Sequence, residues 1–152
     1  MKSLRKVITA VMAALMITCS GLCAFAAPAS LSAAVSSTNN NLVVITNPPS
    51  FTSTTQRGVV FCGYGEPGTV ISFYEYDSDS ATYKRIELGG APVTVTVNAS
   101  GVFWKKIDFE GGYHKVIIYA EKNGGYQTVR REINVLSVGS AGVFKEYSVL
   151  FR

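Results

Sequence analysis

From Leu42 onward the chain is written in short apolar or alternating runs, each closed within 8 to 12 residues by a cluster of turn formers. No segment of that length keeps a helical period, so the pattern restricts the fold to antiparallel sheets built from short strands. Val93, Val95 and Val97 alternate with Thr94, Thr96 and Asn98, which gives one buried and one wet face. Glu66-Pro67-Gly68 supplies Pro and Gly for the two central positions of a type II turn. Asn123-Gly124-Gly125 is a hairpin signal, because Asn and Gly tolerate the positive φ of the favoured two-residue turns. Asn47-Pro48-Pro49 stops a strand that begins at Leu42, since proline has no N–H to give to a ladder. Further strands are predicted over 58–64, 69–76, 82–88, 102–109, 113–122 and 128–136. Their number, about seven to nine, and their spacing point to an all-β, immunoglobulin-like antiparallel β-sandwich.

The N-terminus follows a different rule. Lys2, Arg5 and Lys6 precede an apolar run from Val7 to Ile17, and Ala24-Phe25-Ala26 has the small-x-small form of a signal peptidase site. Residues 1–26 are therefore expected to be a signal peptide, with an apolar run shorter than the roughly 20 residues a membrane-spanning helix needs. Cys19 follows Thr18 and Cys23 follows Leu22, which does not fit a lipidation site. The implied location is secreted or extracellular, including association with the cell envelope, with no transmembrane segment after cleavage.

Composition matters mainly through what the leader removes. The whole chain carries a formal charge of +4, but Lys2, Arg5 and Lys6 leave without any acid, so eleven cations face ten acids and the charge falls to +1. Nucleic acid is thereby excluded as an expected partner, because such binding needs a dense basic face. Of three cysteines only Cys62 remains, so no intramolecular disulfide is available and the core alone must hold the domain. Residues 27–41, APASLSAAVSSTNNN, carry no charge and no aromatic and are expected to be a flexible spacer. The sandwich is placed at 42–136, and 137–152 form an extension with one further strand over 143–151.

Three stretches in order, 60–70 (VFCGYGEPGTV), 97–103 (VNASGVF) and 112–120 (GYHKVIIYA), resemble the bacterial immunoglobulin-like (Big-type) domains of secreted and surface proteins. The resemblance covers residues 40–136 and implies adhesion or interaction at the cell envelope, with a protein or glycan as partner. Such domains usually occur in tandem, whereas one copy stands here.

No catalytic, cofactor or metal site is expected. His114 is the only histidine, is expected at an inward or rim position, and lacks a G-x-S-x-G motif elsewhere in the chain. Cys62, between Phe61 and Gly63, is expected to be a small buried hydrophobe. Glu75, Asp77 and Asp79 lack the spacing of a calcium loop and are read as a solvated acidic turn. Asn98-Ala99-Ser100 fits a glycosylation triplet but is equally a hairpin turn. Lys105-Lys106 and Arg130-Arg131 lie on strands, so one member of each pair must face inward and find a partner at the rim. The candidate ligand-binding residues are aromatic: Trp104, Tyr74, Tyr76, Tyr119 and Tyr126. They support a binding or display module, with a small carbohydrate-binding module as the alternative.

Overall fold

The computed structural model describes residues 27–136, so the expected leader and the strand at 143–151 lie outside the described residues. The described chain is an all-β sandwich of two unequal sheets. The large sheet runs in the order β1 (Ser30–Ser32), β6 (Thr82–Arg85), β5 (Val70–Asp77), β11 (Gly112–Lys122), β12 (Gly125–Val135) and β3 (Phe51–Thr54), with β9 (Thr94–Thr96) also on β5. The small sheet is β10 (Val102–Asp108), β4 (Gly58–Gly65) and β2 (Val43–Asn47). A two-stranded pair, β7 (Glu87–Leu88) and β8 (Ala91–Pro92), stands apart. Every pairing is antiparallel except β12 with β3, and among the described residues no helix is long and apolar enough to cross a membrane.

Local chemistry sets the strand ends. Gly68 has φ +84°, and the Thr69 amide donates to the Glu66 carbonyl at 3.1 Å, closing the expected turn. Asn123 and Gly124 have φ +52° and +80°, the two positive values of a type I′ turn, and β11 and β12 pair in register from there to Gly112 and Val135. The prolines after Asn47 do end β2, but they do more than that. The chain crosses there from the small sheet into β3 of the large one, a short strand of Thr, Ser and Phe that no alternation announced.

Between the sheets lies a core of Phe61, Ile71, Phe73, Val97, Phe103, Ile107, Phe109, Val116, Ile118, Ile133 and their neighbours. Phe61 sits edge-on to Phe73 at 5.2 Å between centroids, which joins the two sheets through their central strands. One buried polar side chain completes the join. Gln127 on β12 accepts from the Val43 amide at 2.8 Å and donates to the Val43 carbonyl at 2.9 Å, so its carboxamide stands in for a strand partner across the sandwich. Arg131, the inward member of its pair, donates to the carbonyls of Pro48 at 2.7 Å and Ile45 at 3.2 Å and holds the crossover.

Residues 27–41 are not a flexible spacer. Ser30–Ser32 pair with Lys84–Thr82, and Leu31 is buried among Tyr74, Tyr83, Ile117 and Tyr119 on the outer face of the large sheet. Farther on, the amides of Thr38 and Asn39 both donate to the Tyr126 carbonyl at 2.9 Å, and the Thr128 amide donates to the Ser37 hydroxyl at 2.9 Å. Arg130, the outward member of its pair, donates to the Ala33 carbonyl at 2.8 Å. The segment is a strap held largely by main-chain carbonyls and small hydroxyls, which is why its composition resembles a linker. Burial under it pushes the Tyr74 and Tyr119 phenols up to about 12.

Two outcomes are expected. Gln127→Leu leaves the Val43 amide and carbonyl buried without partners and lowers the unfolding free energy by about 2–4 kcal/mol in urea titration, and Gln127→Glu, which sets a buried carboxylate against the Val43 carbonyl, loses at least as much at neutral pH. Phenols whose folded pKa exceeds the ordinary value of about 10 stabilise the fold below that pH and lose this contribution as pH rises toward 12. In a base titration followed by phenolate absorbance, Tyr74 and Tyr119 should therefore be among the last to ionise, together with loss of the strap.

Candidate functional site

The five candidate aromatics do not form one platform. Tyr74 and Tyr119 are buried, with rings 6.0 Å apart, and Tyr126 stacks on Tyr119 at 5.2 Å. Tyr76 packs on Tyr83 at 5.2 Å. These four belong to the small core beneath the strap, and the Tyr74 hydroxyl is spent on the Pro28 carbonyl at 2.6 Å. Trp104 lies on the other side of the molecule, on the outer face of the small sheet, and is 70% exposed.

That face carries the largest group of exposed apolar side chains on adjacent strands. On β4, Val59 and Phe61 turn into the core, so Val60, Cys62 and Tyr64 turn out. On β10, Phe103 and Ile107 turn in and Val102, Trp104 and Lys106 turn out. Register then sets the rows: Val44, Tyr64 and Val102 lie side by side across all three strands, and Trp104 lies opposite Cys62, next to that row. Tyr64 is 54% exposed, and the three valines lie between 41% and 48%. Two large rings and three half-exposed valines thus stand on one sheet face, with Cys62 among them.

Cys62 is not a core residue. Its thiol is free and partly exposed near the middle of this face, 3.6 Å from the Thr46 hydroxyl, which itself donates to the Cys62 carbonyl at 3.1 Å. Gly63 lets β2 come close enough to seat Val44 beside Tyr64, because a Cβ at Gly63 would fall 2.0 Å from the Val44 carbonyl oxygen. Both parities of 58–64 are apolar, so alternation alone did not reveal which residues face out. The signal for Tyr64 and Val44 was therefore silent until the inner face was known.

The polar candidates are absorbed by structure. His114 does lie beside an acid: Nδ1 is 2.5 Å from Glu75 Oε1 and Nε2 is 2.9 Å from the Glu110 carbonyl. Both ring nitrogens thus face acceptors, and the ring packs 5.0 Å from Phe109. Such an imidazole ties β5 to the turn before β11, with each nitrogen turned to a carboxylate or carbonyl oxygen rather than to a hydroxyl or thiol. Asp77 accepts from the Lys84 ammonium and from the Ser80 hydroxyl at 2.7 Å, contacts that hold its carboxyl down at about 2. Among the described residues no group of three His, Cys, Asp or Glu is placed to hold a metal ion. Asn98 closes its turn, with the Val102 amide donating to its side-chain oxygen at 3.0 Å.

Compared with known proteins, the chain matches no family model and no curated protein. The exposed face makes its own prediction. Trp104 is the only tryptophan, so its fluorescence should be red-shifted and fully open to acrylamide in the folded state, and should change little on unfolding. An emission blue-shifted in the folded protein would show the face to be covered.

Proposed function

We propose that this is an exported, non-enzymatic sandwich domain that binds a protein partner through the outer face of its three-stranded sheet, outside the cytoplasm or at the bacterial cell envelope. The observation that carries the reading is the row Val44, Tyr64 and Val102 with Trp104 beside it, apolar side chains left open on a sheet whose other face is fully packed. Aromatic anchors ringed by smaller apolar groups are the composition of binding hot spots. The signal-like leader and the resemblance to bacterial immunoglobulin-like domains support display outside the cell. Engagement of both nitrogens of the only histidine supports binding over catalysis.

A glycan is the second reading, favoured by the exposure of Trp104 alone. Sugar platforms rely on several rings in one plane, and here Tyr64 is the only other ring on the face, with valines beside it. A protein surface suits this composition better.

The test uses the processed domain against envelope proteins and a glycan array, in parallel with Trp104→Ala, Tyr64→Ser and His114→Gln. The first two should weaken binding of a protein partner at least tenfold, equivalent to about 1.4 kcal/mol, without altering the thermal midpoint by more than a few degrees. His114→Gln should bind as the parent does. Undiminished binding by a Trp104→Ala, Tyr64→Ser double variant would sink the assignment of this face, and retention on glycans alone would transfer it to the second reading.

A further inference from the structure

The strap covers only part of the outer face of the large sheet. Beyond Ala27 that face opens as a cleft of about 640 Å³, floored by Val70 and Ser72 and walled by Ala27, Arg85, Glu121 and Lys122. Ala27, Pro28 and Ala29 are each hydrogen-bonded to the large sheet beside this cleft. The Ala27 carbonyl accepts from Arg85 Nη1 at 2.9 Å, the Pro28 carbonyl from the Tyr74 hydroxyl at 2.6 Å, and the Ala29 carbonyl from the Arg85 amide at 3.1 Å. Ala27, the residue that cleavage after Ala26 would make the N-terminus, is thus tied to the domain beside this cleft.

The charges around that point are unequally satisfied. Lys122 is paired with Glu66 at 3.1 Å, and the Arg85 guanidinium is turned to the Ala27 carbonyl. Thr94 and Ser72, the contributions of β9 and β5 to the wall and floor, are neutral, and so is the nearby Tyr74 phenol. Glu121 is the one carboxylate on the cleft, and among the described residues it takes part in no ion pair. A half-buried carboxylate beside a chain end is stabilised by a cation at that end.

We propose that this cleft seats the chain's own α-ammonium: hydrolysis of the Ala26–Ala27 bond creates a cation at Ala27 that pairs with Glu121 and fastens the strap. The inference rests on the export reading. Water adds across the amide under a signal peptidase, leaving a carboxylate on Ala26 and, with the proton taken up, an ammonium on Ala27. In the uncleaved chain the same nitrogen is a neutral amide, so Glu121 lacks that counter-ion. Processing therefore tightens the fold as well as releasing it. Arg85, of the same sign as the ammonium, limits the gain, and Glu121 lies on the same wall to offset both cations.

The experiment compares the exported, processed protein, its N-terminus fixed by mass, with the same domain carrying Ser-Gly before Ala27, each with and without Glu121→Gln. Thermal midpoints are followed from pH 6 to 10. A cation that gains a carboxylate stabilises the fold below its ordinary pKa and loses that contribution above it. The processed form should melt about 3–6 °C above the extended one at pH 6.5, and the gap should close as pH rises past the usual α-amino range of about 7.7–8.0. Glu121→Gln should remove the gap by lowering the processed form and leaving the extended form unchanged. Equal midpoints in the two parent forms, or a gap that survives Glu121→Gln, would overturn the ion pair while leaving export intact. An exported protein beginning elsewhere than Ala27 would overturn the cleavage assignment and the pair together, and a chain retained uncleaved in the cytoplasm would overturn the export reading itself.

Discussion

The Gln127 carboxamide, bonded through both its oxygen and its nitrogen to the Val43 main chain, is the interaction on which the two-sheet arrangement turns. The apolar core attracts the sheets without fixing their alignment, because hydrophobic burial is not directional. Hydrogen bonds are directional, and these two are buried, so neither group has water to fall back on. They place the start of β2 against β12 at one end, and Arg131 places the end of β2 and the crossover against the same strand at the other. With β2 held along its length, β3 can only leave it toward the large sheet, where it pairs with β12 in parallel. The one parallel pairing is therefore a consequence of polar contacts from β12 rather than of any propensity in the Phe51–Thr54 segment.

The same alternation that builds the core leaves two outer faces, and the molecule treats them differently. The outer face of the large sheet carries Tyr74, Tyr76, Tyr119 and Tyr126, and the chain covers most of it with its own strap, so the phenols lie in a second small core. The outer face of the small sheet has no such cover among the described residues and keeps Trp104 and Tyr64 in solvent. Sequence alone gives these two sets of rings equal standing. Cover separates them, since a ring under a strap contributes stability and a ring in solvent offers contact area.

Turn chemistry was fully legible, because Pro67-Gly68 and Asn123-Gly124 act through φ, which depends on the residue itself. Strand existence was nearly as legible, and the all-β sandwich follows from it. Facing was not. In Gly58–Tyr64 and Val70–Tyr76 both parities are apolar or aromatic, so nothing in either run says which side meets the core. The strap was hidden for a different reason: Leu31 is its single large buried anchor, and its other ties use main-chain carbonyls that every residue owns. Gln127 was hidden because a glutamine in a strand looks like a wet-face residue, and only the approach of β2 from the opposite sheet makes it a buried partner.

Cys62 bears on what the exposed face can meet. Joining it by a disulfide to a like position on another sheet would require Cα atoms within about 4.4–6.8 Å, whereas sheets packed face to face stand about 10 Å apart. Trp104 opposite it and Tyr64 two residues along β4 would hold a second sheet off before the sulfurs met. The thiol is therefore a small side chain between large ones, the low point of a surface whose rings stand higher. On the proposed reading, the complementary surface is one with a protruding apolar group over Cys62 and flatter surface around it, a shape that folded proteins readily present.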